Sequence, residues 1–120
     1  MAMMSFNAPA EREKSLWLVR KESNPNHSQW YIDRFKAMEA EGNDMAGESR
    51  LLDAMASRGA KILDAGSGPG RVGKQLHALG HRVTGVDIDP ELIEEARRVC
   101  PDATWITADL VDLPEVLGIE

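Results

Sequence analysis

The feature that most constrains this chain is the run Ile62, Leu63, Asp64, Ala65, Gly66, Ser67, Gly68, Pro69, Gly70, a short apolar segment that ends on a carboxylate and then breaks into three glycines spaced two apart. An apolar run of that length, bounded by turn residues, reads as a buried strand. Glycines are needed where a turn takes positive φ, or where a Cβ would hold the backbone away from a bound cofactor. Together they predict a strand feeding a nucleotide-binding loop.

The segments that follow alternate between strand and helix patterns. Strands are predicted over residues 61–65, 82–87 and 104–108. Between them a helix opens near Gly70, with Val72, Leu76 and Leu79 on one face, and stops at Gly80. A second is capped by Asp89 with Pro90 in its first turn, and presents Leu92, Ile93, Ala96 and Val99. Strands joined by helical crossovers lie parallel, so the expected fold class is α/β, a Rossmann-like parallel sheet with flanking helices. Residues 1–10 read as a loose leader. Residues 14–20 carry Leu16, Trp17, Leu18 and Val19, too short a cluster to assign to helix or strand. A turn at 24–28 precedes a helix running to about Glu41, and residues 47–57 form another with an apolar stripe of Leu51, Leu52, Met55 and Ala56. Residues 1–57 are thus expected to be a leader and helical cap, and residues 58–120 a partial Rossmann-like cofactor-binding domain.

Composition narrows the partners. Fourteen Lys and Arg against twenty Asp and Glu give a net charge of -6, with Arg97 and Arg98 as an isolated basic pair, which disfavours nucleic acid. The single cysteine, Cys100, excludes an internal disulfide and a Cys-rich metal site, reads as a small buried hydrophobe, and fits a reducing, intracellular setting. No long apolar stretch opens the chain, and Glu11 and Glu13 oppose an acid-poor transit peptide; the expectation is a cytoplasmic protein without a membrane partner.

Three carboxylates, Asp64, Asp87 and Asp109, end the three predicted strands. In an open parallel sheet the ligand lies outside the carboxyl ends of the strands, so these side chains should converge on one crevice. Any one of them alone would be read as a helix cap or turn former. Asp87 follows Gly66 by 21 residues, the spacing of an acid that accepts from a ribose diol. A literal G-x-G-x-x-G runs from Gly68 to Gly73, but it starts late, and a pyrophosphate beside Asp64 would face like charge with only a helix terminus and Arg71 to offset it. A cationic cofactor suits Asp64 better; an NAD- or nucleotide-sugar-binding oxidoreductase stays open as the alternative.

The segment 62–70, with Val86, Asp87, Ile88 and Asp89 as a second motif and Ala108, Asp109 and Leu110 as a third, resembles the class I S-adenosylmethionine-dependent methyltransferases over residues 61–114. The resemblance implies S-adenosylmethionine as cofactor and a small-molecule methyl acceptor. It implies that Asp64 sits near the methionyl ammonium, that Gly66, Ser67, Gly68 and Gly70 line the methionine portion, and that Asp87 holds the ribose hydroxyls. Ile88 would flank the adenine, Asp109 would accept from its exocyclic amine, and the Leu110 amide would serve a ring nitrogen. No catalytic residue is identified and no metal is required.

The family's sheet has seven strands, and only three are legible here. The expectation is therefore an amino-terminal portion, truncated after the third strand, whose exposed first-strand edge favours self-association. A complete small, non-catalytic cofactor-binding or interaction module is the rival. Ahead of the loop, His27, Tyr31, Arg34 and Met38 form a helical stripe that reads either as a lid over the cofactor or as a solvated amphipathic face. His77 and His81 are expected in solvent; Trp30, Phe35 and Trp105 are expected to be packing residues.

Overall fold

The computed structural model describes residues 14–118; the expected leader lies outside the described residues. Three helices, α1 (Leu16–Ser23), α2 (His27–Ala40) and α3 (Gly47–Met55), precede an alternation of β1 (Lys61–Ala65), α4 (Arg71–Ala78), β2 (Arg82–Asp87), α5 (Pro90–Val99) and β3 (Thr104–Thr107). A 3-10 turn (Leu110–Asp112) and the short helix α6 (Leu113–Val116) follow. The strands form a parallel sheet in the order β1-β2-β3, with Asp64 opposite Gly85 and Gly85 opposite Trp105.

Side chains alternate across a strand, so one face of each can be apolar. Val83 and Trp105 point to the face covered by α4 and α5, where they meet Leu76, Ile93, Ala96 and Cys100 in the core. Leu63, one residue out of phase with Ile62, is 43% exposed on the other side. The largest core side chain, Trp105, fits because three glycines leave room: a Cβ on Gly70, Gly73 or Gly85 would come within 3.1 Å of its ring or closer. Its Nε1 donates to Cys100 O at 2.8 Å and its carbonyl accepts from Arg97 Nη2 at 2.9 Å, which fixes the ring's position.

Some elements differ from the sequence expectation. The cluster Leu16 to Val19, which the sequence leaves unassigned, lies in helix α1, capped by Ser15, whose Oγ accepts from Leu18 N at 3.1 Å. The third strand stops at Thr107, one residue early. Helix α3 meets α4 through its polar side, with Ser49 Oγ donating to Gln75 Oε1 and Arg71 Nη2 donating to Glu48 Oε1, and this turns Leu51, Leu52 and Met55 outward. Leu79 is the C-cap of α4, beyond the packed turns, and is exposed. Trp30 is 52% exposed, stacked on His27 at the surface instead of packed in the core. Cys100 is buried, as expected. Among the described residues no helix is long and apolar enough to cross a membrane.

His81 is buried, not solvated. Its Nδ1 accepts from Ala60 N at 3.2 Å, which leaves the proton on Nε2 to donate to Asp53 Oδ1 at 2.8 Å. That bond, and the Arg58 ion pair at 2.8 Å, hold the Asp53 carboxyl below the ordinary carboxylate range despite the opposing effect of desolvation. The strut ties the end of α3 to the start of β1. Replacing His81 with Phe keeps the bulk but strands the Ala60 N–H, so His81→Phe is expected to cost about 1–3 kcal/mol in urea unfolding. An unchanged midpoint would show that the strut contributes nothing.

Candidate cofactor site

The loop after β1 is shaped by where its amides can go. Gly66 N and Ser67 N both donate to Val86 O, at 2.8 and 3.0 Å, so the chain bends across the end of β2. The bend needs φ of +78° at Gly66 and +57° at Gly68, values that glycine adopts without strain. Gly68 N then donates to Asp87 Oδ2 at 2.9 Å, and Asp89 N to Asp87 Oδ1, also at 2.9 Å. Asp87 is therefore oriented by two backbone groups before any ligand arrives. Each of its oxygens keeps a second lone pair for a further donor.

Two adjoining cavities lie over this loop. One, of about 340 Å³, is lined by Gly66, Gly68, Asp87, Ile88, Asp109 and Leu110, and from the amino-terminal segment by Ser15, Trp17 and Tyr31. The other, of about 220 Å³, is lined by Gly66, Ser67 and Gly68 together with Asp64, Glu48 and Arg71. Tyr31 walls both. The site residues expected from sequence thus gather as one trough, with one difference. Gly70 lines neither cavity; its φ of +87° starts α4, and it packs on Ala96 and Trp105. Asp109 lines the first cavity and also serves as a cap, its Oδ1 accepting from Val111 N at 3.1 Å.

Of the helical stripe, Tyr31 alone reaches the trough. His27 is buried beside Trp17 and Trp30, and Arg34 lies over the Trp30 ring. Ser15, Trp17 and Glu48 also reach it, and sequence reasoning missed them. They come from segments far upstream of the loop, and no motif spacing marks them.

The charges decide what the second cavity accepts. Burial pushes the Asp64 carboxyl above its ordinary value, nearby Glu48 and Asp87 push it further, and Arg71 opposes them only in part. Arg71 is engaged elsewhere, donating to Met45 O at 2.7 Å and to Glu48 Oε1 at 2.8 Å. No hydrogen-bond donor among the described residues reaches Asp64, and the buried Ser67 Oγ has no partner among them. A Cβ at Gly66 would meet nothing within 4 Å, so there is open space directly over the loop. A ligand with an ammonium and a sulfonium fits this end; a pyrophosphate does not.

Comparison with known proteins agrees with that geometry. A family profile described as a methyltransferase domain matches residues 62–118. A solved structure described as a TehB-like SAM-dependent methyltransferase, from Corynebacterium glutamicum, is 54% identical, superposes with a TM-score of 0.70, and shares 72% of this chain and 47% of its own. Residues 62–118 belong to the S-adenosylmethionine-dependent methyltransferases. A ubiquinone biosynthesis O-methyltransferase from Xanthomonas campestris is 32% identical over 87 residues, 62% of this chain and 36% of the relative. A malonyl-[acyl-carrier protein] O-methyltransferase from Enterobacter lignolyticus is 36% identical over 72 residues, 56% of this chain and 29% of the relative. The chain thus spans about a third of the length of these relatives. The cofactor of the class is S-adenosylmethionine, a thioether-derived cation whose electrostatics match the carboxylate-rich trough.

If Asp64 receives the ammonium, the pH dependence has a definite sign. The ionised carboxylate binds the cation, and its raised pKa in the empty site falls when the cation arrives, so binding releases protons. Affinity for S-adenosylhomocysteine should therefore weaken as the pH falls through that raised value. The same shift means that Asp64 contributes stability that is full below the ordinary carboxylate pKa and is lost as the pH rises through the folded-state value. Asp64→Asn is accordingly expected to raise the melting temperature at neutral pH while weakening the ligand. Calorimetry in buffers of different ionisation heat, repeated at falling pH, measures the proton release, and zero release across the range in which the affinity weakens would exclude the pairing.

Proposed function

We propose that this chain binds S-adenosylmethionine in the trough and belongs to an enzyme that transfers the methyl group to a small-molecule acceptor. The observation that carries this reading is the Asp64 end of the trough, a half-buried carboxylate beside Glu48 and Asp87 that Arg71 offsets only in part and that no hydrogen-bond donor among the described residues reaches. In the proposal Asp64 takes the methionyl ammonium, Gly66, Ser67 and Gly68 line the methionine portion, and Asp87 accepts from the ribose hydroxyls. Ile88 flanks the base, Asp109 accepts from its exocyclic amine, and the Leu110 amide serves a ring nitrogen. Gly70 serves by holding the start of α4 against the core.

When bound, the cofactor would supply an electrophilic methyl on a sulfonium, open to in-line attack at carbon with the neutral thioether as leaving group. The chain's own residues bind and orient. Holding the reacting atoms about 3 to 3.5 Å apart accounts for much of the acceleration in reactions of this kind. Residues 58–120 are the cofactor-binding part in this reading, and the helices before it are a cap. The small-molecule acceptor fits the acidic charge of -6, and the lone, buried Cys100 fits the cytoplasm. Among the described residues β1 pairs only with β2, so its other edge is open for self-association, which sedimentation would measure.

The test is calorimetry of one sample with S-adenosylhomocysteine and with NADH. Binding of the first and not the second is expected. Preference for NADH would move the reading to a dinucleotide enzyme using the glycines from Gly68 to Gly73.

A further inference from the structure

Asp89 has more partners than a helix cap requires. It caps α5 by accepting from Glu91 N at 2.9 Å, yet it is fully buried and also accepts from three side chains more than sixty positions upstream. Trp17 Nε1 donates at 2.5 Å, Lys21 Nζ at 2.6 Å, and Ser28 Oγ donates to the same oxygen as Trp17. Trp17 and Lys21 belong to α1 and Ser28 to α2, so one carboxylate fastens both helices to the loop after β2. A carboxylate in that position must be paired, since an uncompensated buried charge is strongly unfavourable. Although burial alone would raise it, the bonds from Lys21, Ser28 and Trp17 hold the Asp89 carboxyl below its ordinary value.

The same residue faces the ligand trough from its backbone. Asp89 N donates to Asp87 Oδ1, while Trp17, held by the Asp89 carboxylate, lines the same cavity as Asp87 and Ile88. Two lining residues of the cavity, Asp87 and Trp17, are thus held by one residue that does not itself line it. We propose that Asp89 is a positioning residue for the cofactor, fixing Trp17 and Asp87 together as parts of the wall of the nucleoside cavity. Trp17 then belongs to the binding surface, and α1 is a working part of the site. The inference rests on the methyltransferase reading.

The experiment uses the full chain labelled with 5-fluorotryptophan and followed by fluorine NMR during titration with S-adenosylhomocysteine. Trp17→Phe and Trp30→Phe assign the three resonances. The Trp17 signal is expected to shift with the ligand and the core Trp105 signal to stay. Asp89→Asn keeps an oxygen for Glu91 N but loses the charge, and should lower affinity at least tenfold while remaining folded by circular dichroism. Lys21→Met, which leaves α5's cap untouched, should lower it several-fold and decides the matter if Asp89→Asn does not fold. A purely structural role would lower the melting temperature of these variants but leave the ligand affinity of the folded protein unchanged, and that result overturns the proposal. So does a Trp17 signal that stays still at saturating ligand. If the unaltered chain does not bind S-adenosylhomocysteine, the methyltransferase reading falls and this inference with it; if it binds while Trp17 is silent, only the inference falls.

Discussion

Gly85→Ala is expected to destabilise the fold by about 3 kcal/mol, the upper part of the range for overpacking a core. A Cβ built on Gly85 lies 2.3 Å from Trp105 Cζ3, 2.4 Å from its Cε3 and 2.9 Å from Ser67 Cβ. The indole has no direction in which to retreat, because it is bonded through Nε1 to Cys100 O and pressed against Gly70 and Gly73. For a domain of ordinary marginal stability such a loss is a large share of the total. Urea unfolding measures it. Trp105→Phe removes the ring atoms that clash, so the double variant should recover part of the loss, a coupling that separate sites would not show. If Gly85→Ala unfolds at the parent midpoint, the tryptophan is not seated where the core requires it.

Asp87→Ala is expected to reduce S-adenosylhomocysteine affinity well beyond tenfold. Hydrogen bonds to a charged acceptor contribute roughly 1.5–3 kcal/mol, and each 1.4 kcal/mol is a factor of ten. The ribose contacts account for part of the effect, and the loop accounts for more. Removing the carboxylate strands Gly68 N and Asp89 N together, so the turn that shapes both cavities keeps only its backbone bonds to Val86 O as ties to β2. Asp87→Asn should not rescue binding, since one of its two positions becomes a donor facing a backbone N–H. Calorimetry on both variants checks this, and retention of parental affinity by either would remove Asp87 from the site.

The sheet half was legible because its signals are local. Asp64, the glycines after it and the caps at Asp89 and Pro90 each announce a backbone event within a few residues. The convergence of Asp64, Asp87 and Asp109 followed from parallel topology alone. What could not be read depended on contacts across the chain. Leu16 to Val19 are too few for a period, and α1 is fixed by Trp17 and Lys21 bonding to Asp89. His81 sits beside a helix end, where solvent is the usual surrounding, and only the fold brings Asp53 and Ala60 to its two nitrogens. The stripe on α3 is legible as a stripe, but nothing in the periodicity says that Ser49 and Glu48 make the contact with α4 and leave Leu51, Leu52 and Met55 exposed. Gly70 was read as part of the ligand surface because a glycine's spacing does not reveal which neighbour requires it.

That last glycine has a bearing on how the chain could change over evolutionary time. At Gly66 and Gly68 the demand is for positive φ and for empty space over the loop; were the ligand no longer needed, Asn or Asp, which tolerate that backbone, could settle there. Gly70 is held by a second creditor, since any side chain would strike Ala96 at 2.9 Å and Trp105 at 3.1 Å whether or not a ligand ever binds. A descendant that had abandoned the cofactor would therefore keep Gly70 and drift at Gly66. Among relatives, the state of Gly66 is expected to separate those that still bind from those that only inherit the shape.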